Sequence, residues 1–151
     1  MALTDKDVRS LQRRATGACV SRDASVPSQT AFPYSLEFAA GATTLAEGDA
    51  ITISNVEGTR PAFAVGGMYR VRGHYTLRSA AEATLLLSVT ATASNEGCTT
   101  GIERASIKVQ RGSGEFDLAT TIPYEGHPHV SFYANGSNAG GVYFGKDSFL
   151  R

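Results

Sequence analysis

An all-β fold of antiparallel strands is what this chain predicts, and three observations predict it. The strongest is residues 68–93, where two long runs of alternating apolar and polar residues are separated by Ser79-Ala80-Ala81-Glu82. The second is a set of shorter period-two runs, with turn signals about every ten residues. The third is composition: sixteen glycines, six tyrosines and seven phenylalanines without a tryptophan suit tight turns and pleated surfaces. At 151 residues the chain is one domain of ordinary size, large enough to bury about two-thirds of its unfolded surface.

The elements follow in order. Residues 3–15 read as the one helix: Thr4 is a suitable N-cap, Asp7 sits at N3, and Leu3 and Val8 can form a hydrophobic staple. Val8, Leu11 and Ala15 share its apolar stripe, and Gly17 can end it. Lys6, Arg9, Arg13 and Arg14 lie on a face with no interleaved aromatic, which reads as solvated. Residues 19–30 are polar, contain Pro27 and show no periodicity, so they read as a connector.

Tyr34, Leu36 and Phe38 alternate as a first strand, and Ile51 and Ile53 as a second that stops near Gly58 and Pro61. Phe63 and Val65 precede the Gly66-Gly67 turn. In 68–78, Tyr69, Val71, Gly73, Tyr75 and Leu77 share one parity and Arg70, Arg72, His74, Thr76 and Arg78 the other. After 79–82, Leu85, Leu87, Val89 and Ala91 resume the apolar face, so the two runs read as a long hairpin. Ile107 with Val109, and Phe116 with Leu118 and Ile122, form two more runs around a Gly112-Ser113-Gly114 loop. Val130 and Phe132 alternate next, 135–141 reads as a loop, and Val142 and Phe144 make a last short strand. The predicted organisation is a short N-terminal helix within 1–17 and a single jelly-roll-like antiparallel β-sandwich over 31–151, with a closed barrel as the alternative.

Lys+Arg and Asp+Glu balance at 14 each, so no net field draws the chain to nucleic acid or to an anionic membrane, and neither partner is expected. Residues 1–14 carry charges throughout and no stretch reaches the length of a membrane span; localisation is left open. Cys19 and Cys98 lack metal-ligand spacing and permit either one bridge or two free thiols. There is no Gly-x-Ser-x-Gly elbow, no phosphate-cradling loop and no dinucleotide fingerprint, so nucleophilic catalysis finds no support and no cofactor is expected. Asn135-Gly136-Ser137 matches a glycosylation sequon.

Two constellations carry chemistry. If Val130 and Phe132 face the core, then His127, His129, Ser131 and Tyr133 share the other face, and Tyr143 has the same outward parity on the last strand. Two imidazoles and two phenols on one surface suit a ligand platform, and two imidazoles on one side of a strand suit a metal if a third ligand, such as His74, joins them. The second constellation is the stripe Arg70, Arg72, His74 and Arg78, which reads either as an anion site or, more simply, as cross-strand pairing with Glu115, Asp117 or Glu82. Asp49, Glu115 and Asp117 are the carboxylates that a glycoside-cleaving pair could draw on.

The stretch from Gly48-Asp49 to Ala93, with a Gly66-Gly67 turn feeding Tyr69-Arg70-Val71 and then the Leu85-Leu86-Leu87-Ser88-Val89 strand, resembles the middle of a jelly-roll carbohydrate-binding module. The resemblance covers about a third of the chain. It implies non-catalytic sugar binding by aromatic stacking, with Tyr124, Tyr133 and Tyr143 supplying the rings in a chain without tryptophan. His127-x-His129 is also similar to the His-x-His of cupin metal sites, although residues 130–136 lack the acid that follows it there. The leading expectation is therefore a binding module for carbohydrate using Tyr124, His127, His129, Tyr133 and Tyr143. The alternatives are a cupin-like metal-dependent enzyme using His74, His127 and His129, and a structural domain that forms homo-oligomers through a sheet edge or the helix.

Overall fold

The computed structural model describes residues 30–41, 43–91 and 105–145, and all statements below concern these. The helix expected within 1–17, Cys19 and Cys98 lie outside them. The described chain is all-β and antiparallel, with six strands: β1 (Tyr34–Leu36), β2 (Ala50–Gly58), β3 (Met68–Ala91), β4 (Ala105–Thr121), β5 (Gly126–Ala134) and β6 (Ser137–Tyr143).

These strands form a single curled sheet built on β3. β4 pairs along nearly the whole of β3, from Met68↔Thr121 to Leu87↔Ala105. The first half of β3 takes β2 as its second neighbour, from Tyr69↔Gly58 to Thr76↔Ala50. Its second half takes β5 instead, from Thr84↔Tyr133 to Ala91↔Gly126. β1 then adds to β2, and β6 to β5.

The chain after β1 crosses to the far end of this sheet. The Gly41 amide donates to the Tyr143 carbonyl (2.7 Å), and the Ala39 and Thr44 amides donate to the carbonyls of Phe144 and Gly141 (3.3 and 3.2 Å). One stretch of about ten residues thus pairs with β2 at its start and with β6 at its end. The two ends of the sheet are held together, and its apolar faces close on one core. Val71, Leu77, Leu85, Val130 and Phe132 are fully buried there. The rings of Tyr75, from the first half of β3, and Phe132, from β5, meet edge-on at 6.4 Å.

Residues 68–91 are one strand and not the expected hairpin, and residues 112–114 do not form a loop. The two breaks in alternation face each other. Residues 78–81 of β3 lie between the Leu77↔Gly112 and Glu82↔Gln110 pairs, so four residues oppose Arg111 alone. The extra length bulges the ladder and bends the ribbon, and neither strand reverses. Core parity stays odd through β3, from Tyr69 to Val89, whereas in β4 it switches from Val109 to Phe116 and Leu118. Gly112, with φ at 129°, takes up the switch in a backbone region that side chains rarely adopt.

Asp49 pins this bulge from the end of β2. Its carboxylate accepts from the Arg78 amide (2.7 Å), the Ser79 amide (3.0 Å) and the Ser79 hydroxyl (2.5 Å). Burial alone works against ionisation here, but the bonds from the Ser79 hydroxyl and from the two amides outweigh it and hold the carboxyl below its ordinary 3.8. Residues 135–141 also differ from the loop expected. Asn135 and Gly136 both have positive φ (53° and 79°), the requirement of a two-residue type I′ turn, so 137–143 returns as β6.

Replacing Asp49 by Asn should lower unfolding stability by about 1–2 kcal/mol at pH 7, read by urea denaturation. Because the folded carboxyl titrates below its unfolded value, its contribution is full above about pH 4 and is lost as pH falls through the lowered folded value. The gap between wild type and variant should therefore narrow below about pH 4; a constant gap down to about pH 2 is the contrary result.

Candidate functional site

The outer face of the second half of the sheet carries the imidazole cluster. With Val130 and Phe132 fully buried in the core, period two turns His127, His129 and Ser131 outward. Strand register then sets the neighbours: Ser88, His129 and Tyr143 form one row across β3, β5 and β6, and Thr90 and His127 form the next.

The Tyr143 ring lies 5.0 Å from the His129 ring at a 48° tilt, and 6.1 Å from His127 in an edge-on arrangement. Its hydroxyl is 3.4 Å from Thr90 Oγ1. His129 is 7% exposed and held at both nitrogens. Nδ1 is 3.2 Å from the His127 carbonyl and 3.3 Å from Thr90 Oγ1, and Nε2 is 2.9 Å from Ser88 Oγ. A carbonyl only accepts, so Nδ1 carries the proton, and in the neutral ring Nε2 accepts from the Ser88 hydroxyl. The ring is thus locked in one tautomer and one orientation, and Tyr143 rests against it. Ser88 and Thr90 complete the site, and the pairing of β3 with β5 is what puts them beside His129.

The other expected site residues divide. Tyr133 lies further along β5, half-buried, opposite Thr84 and Asn138. Tyr124 does not join the surface. It is 3% exposed and faces the core, where its hydroxyl donates to the Val89 carbonyl at 2.7 Å. It lies in the link between β4 and β5, where no strand parity directs it, and a buried carbonyl needing a donor claims its phenol.

His74 is likewise separated from His127 and His129. It stands on the first half of β3 opposite Thr52 and Glu115, and its Nδ1 is 3.9 Å from Glu115 Oε1. Among the described residues no three histidines, cysteines or carboxylates converge as a metal would require.

The basic stripe is paired with acids from the neighbouring strands. Arg70 grips Asp117 with two bonds, Nε to Oδ1 at 2.8 Å and Nη2 to Oδ2. The Arg70 hydrogen bond holds the Asp117 carboxyl below its ordinary range. Arg72 bonds Glu57 through Nη2 and the Asn55 side chain through Nε at 3.2 Å. Glu57 was not among the expected partners, and Glu82 instead stands opposite Gln110. Asp49 is thus engaged at the bulge and Asp117 with Arg70.

Replacing Tyr124 by Phe is expected to cost about 1–2 kcal/mol in thermal or urea unfolding, because the Val89 carbonyl loses its buried donor. An unchanged midpoint would contradict the structural role given to this phenol.

Comparison with protein-family models, with curated proteins and with solved structures finds no match to the chain.

Proposed function

We propose that this domain is a non-catalytic binding module and that its ligand surface is the outer face around His127, His129 and Tyr143, with carbohydrate as the ligand class. The observation that carries the reading is the immobilised pair of Tyr143 and His129. An aromatic ring held in advance against a hydrogen-bonded imidazole offers a flat apolar surface without the entropic cost of ordering it on binding. A sugar presents a complementary surface: C–H groups on one face of the ring, hydroxyls around the rim.

The rim of the cluster supplies matching polar groups. The Tyr143 and Thr90 hydroxyls and the half-buried His127 imidazole surround the ring within reach of a stacked sugar. Tyr133, further along β5, offers a second ring for a longer chain.

Titration of the isotope-labelled protein with a panel of glucan, mannan, galactan and xylan oligosaccharides should show one class bound with Kd of about 10 µM–1 mM, with the shifts centred on His127 and Tyr143. Tyr143→Ala should weaken that binding by about tenfold or more while moving the unfolding midpoint little, since the ring is partly exposed. A flat titration across the panel would overturn the carbohydrate reading.

A further inference from the structure

The geometry points to a second copy of this chain as the partner of β4: two β4 strands pair antiparallel about a twofold axis passing between Gly112 and Ser113, joining two curled sheets into one. The inference is independent of the ligand reading above.

β4 is a 17-residue strand, and among the described residues it pairs with β3 alone. Its second edge presents a long row of backbone donors and acceptors, and strand edges of that length are normally covered or paired. The other ends of the sheet are treated differently. β1 is only three residues long, and the outer edge of β6 is met by Ala39, Gly41, Thr43 and Thr44.

Two features select a second copy. The first is the parity switch. β4 faces the core with Ile107 and Val109 before the break and with Phe116 and Leu118 after it. In an antiparallel self-pair centred between Gly112 and Ser113, Val109 stands opposite Phe116 of the other copy and Ile107 opposite its Leu118. Core-facing residues meet core-facing residues in both halves, which a strand of unbroken parity achieves in a different set of registers. The bend of the ribbon falls on the axis, so both copies bend together.

The second feature is charge. The first half of β4 carries Lys108 and Arg111, and the second half Glu115 and Asp117, all exposed. The same register sets Lys108 opposite Asp117 of the other copy, twice per dimer, and Gln110 opposite Glu115. An isologous contact of this kind repeats each favourable pair. A parallel pairing in register would instead set like charges side by side.

Sedimentation of the full chain should show a monomer–dimer equilibrium. Lys108→Glu alone sets a second carboxylate against Asp117, and Asp117→Lys alone sets a second ammonium against Lys108; each should weaken dimerisation by about tenfold or more. Mixing the two variants pairs opposite charges again across the mixed interface and should restore a dimer. A wild-type protein that stays monomeric to about 1 mM, or a dimer indifferent to both variants, would overturn the inference.

Asp117 also holds Arg70, so circular dichroism must confirm that Asp117→Lys is folded. Hydrogen exchange on the unmodified protein tests the same point without a variant. Alternate amides of residues 105–119 should gain protection as protein concentration rises, and protection that does not change with concentration would equally overturn the pairing.

Discussion

The length of β3 is the constraint that the rest of the fold answers. Twenty-four residues in one straight strand would span about 80 Å, whereas a compact chain of this size is only about 40 Å across. A straight strand would carry half its apolar face out of any core. The ladder break at 78–81 resolves this: four residues of β3 set against Arg111 give the ribbon a bend near its middle, and each half then recruits its own neighbour. Asp49 holds the bend in an unusual way for an acidic side chain at a strand end. Its carboxylate accepts from the Arg78 and Ser79 amides at the break and from the Ser79 hydroxyl, so these donors are paired.

Bending also gives the two outer faces different characters. On the first half, arginines are matched by Asp117 and Glu57, and such exposed pairs contribute only about 0–1 kcal/mol each. Their main effect is to leave that face polar and close to neutral. On the second half, the same outward parity yields hydroxyls, imidazoles and phenols, with Leu86, His129 and Ser131 buried among them. Ser131 can lie so close to β6 because Gly141 faces it; a Cβ there would sit 2.4 Å from the Ser131 hydroxyl. The close approach of β6 is what brings Tyr143 onto His129. The candidate site is therefore a product of strand pairing, and no single segment contains it.

What is legible in the sequence follows the same division. Alternation marks the strands, the core face and the outward placement of His127, His129 and Tyr143, because period two is a local property of the chain. It does not distinguish a hairpin from a bulge at 79–82. Both need a break in pattern, and the outcome turns on whether the partner strand breaks at the same level, as β4 does near Gly112. Asn135-Gly136 is legible as a type I′ turn from its dipeptide alone, a signal that reading 135–141 as a loop passes over. Tyr124 is not legible in this way. Its side chain is directed by the Val89 carbonyl, which only the assembled fold places nearby. His74 shows the same limit in reverse: parity correctly turns it outward, but strand order places it on the other half of the sheet from His127 and His129.

The edge of β4 and the imidazole face lie on one sheet, and their positions have a joint consequence. β6 is three strands from β4 through β5 and β3, so at about 4.8 Å per strand the Tyr143 row stands about 14 Å from the free edge. Pairing through β4 therefore leaves that row uncovered. A twofold axis normal to the joined sheet turns both outer faces to the same side, with the two Tyr143 rows about 34 Å apart across the strands and, because each row is level with the start of its own β4, about 56 Å apart along them. If the proposed ligand surface and the proposed dimer both hold, two sites facing one direction can engage a single extended or surface-bound ligand together. Effective concentration then raises avidity well beyond the single-site affinity without any added contact.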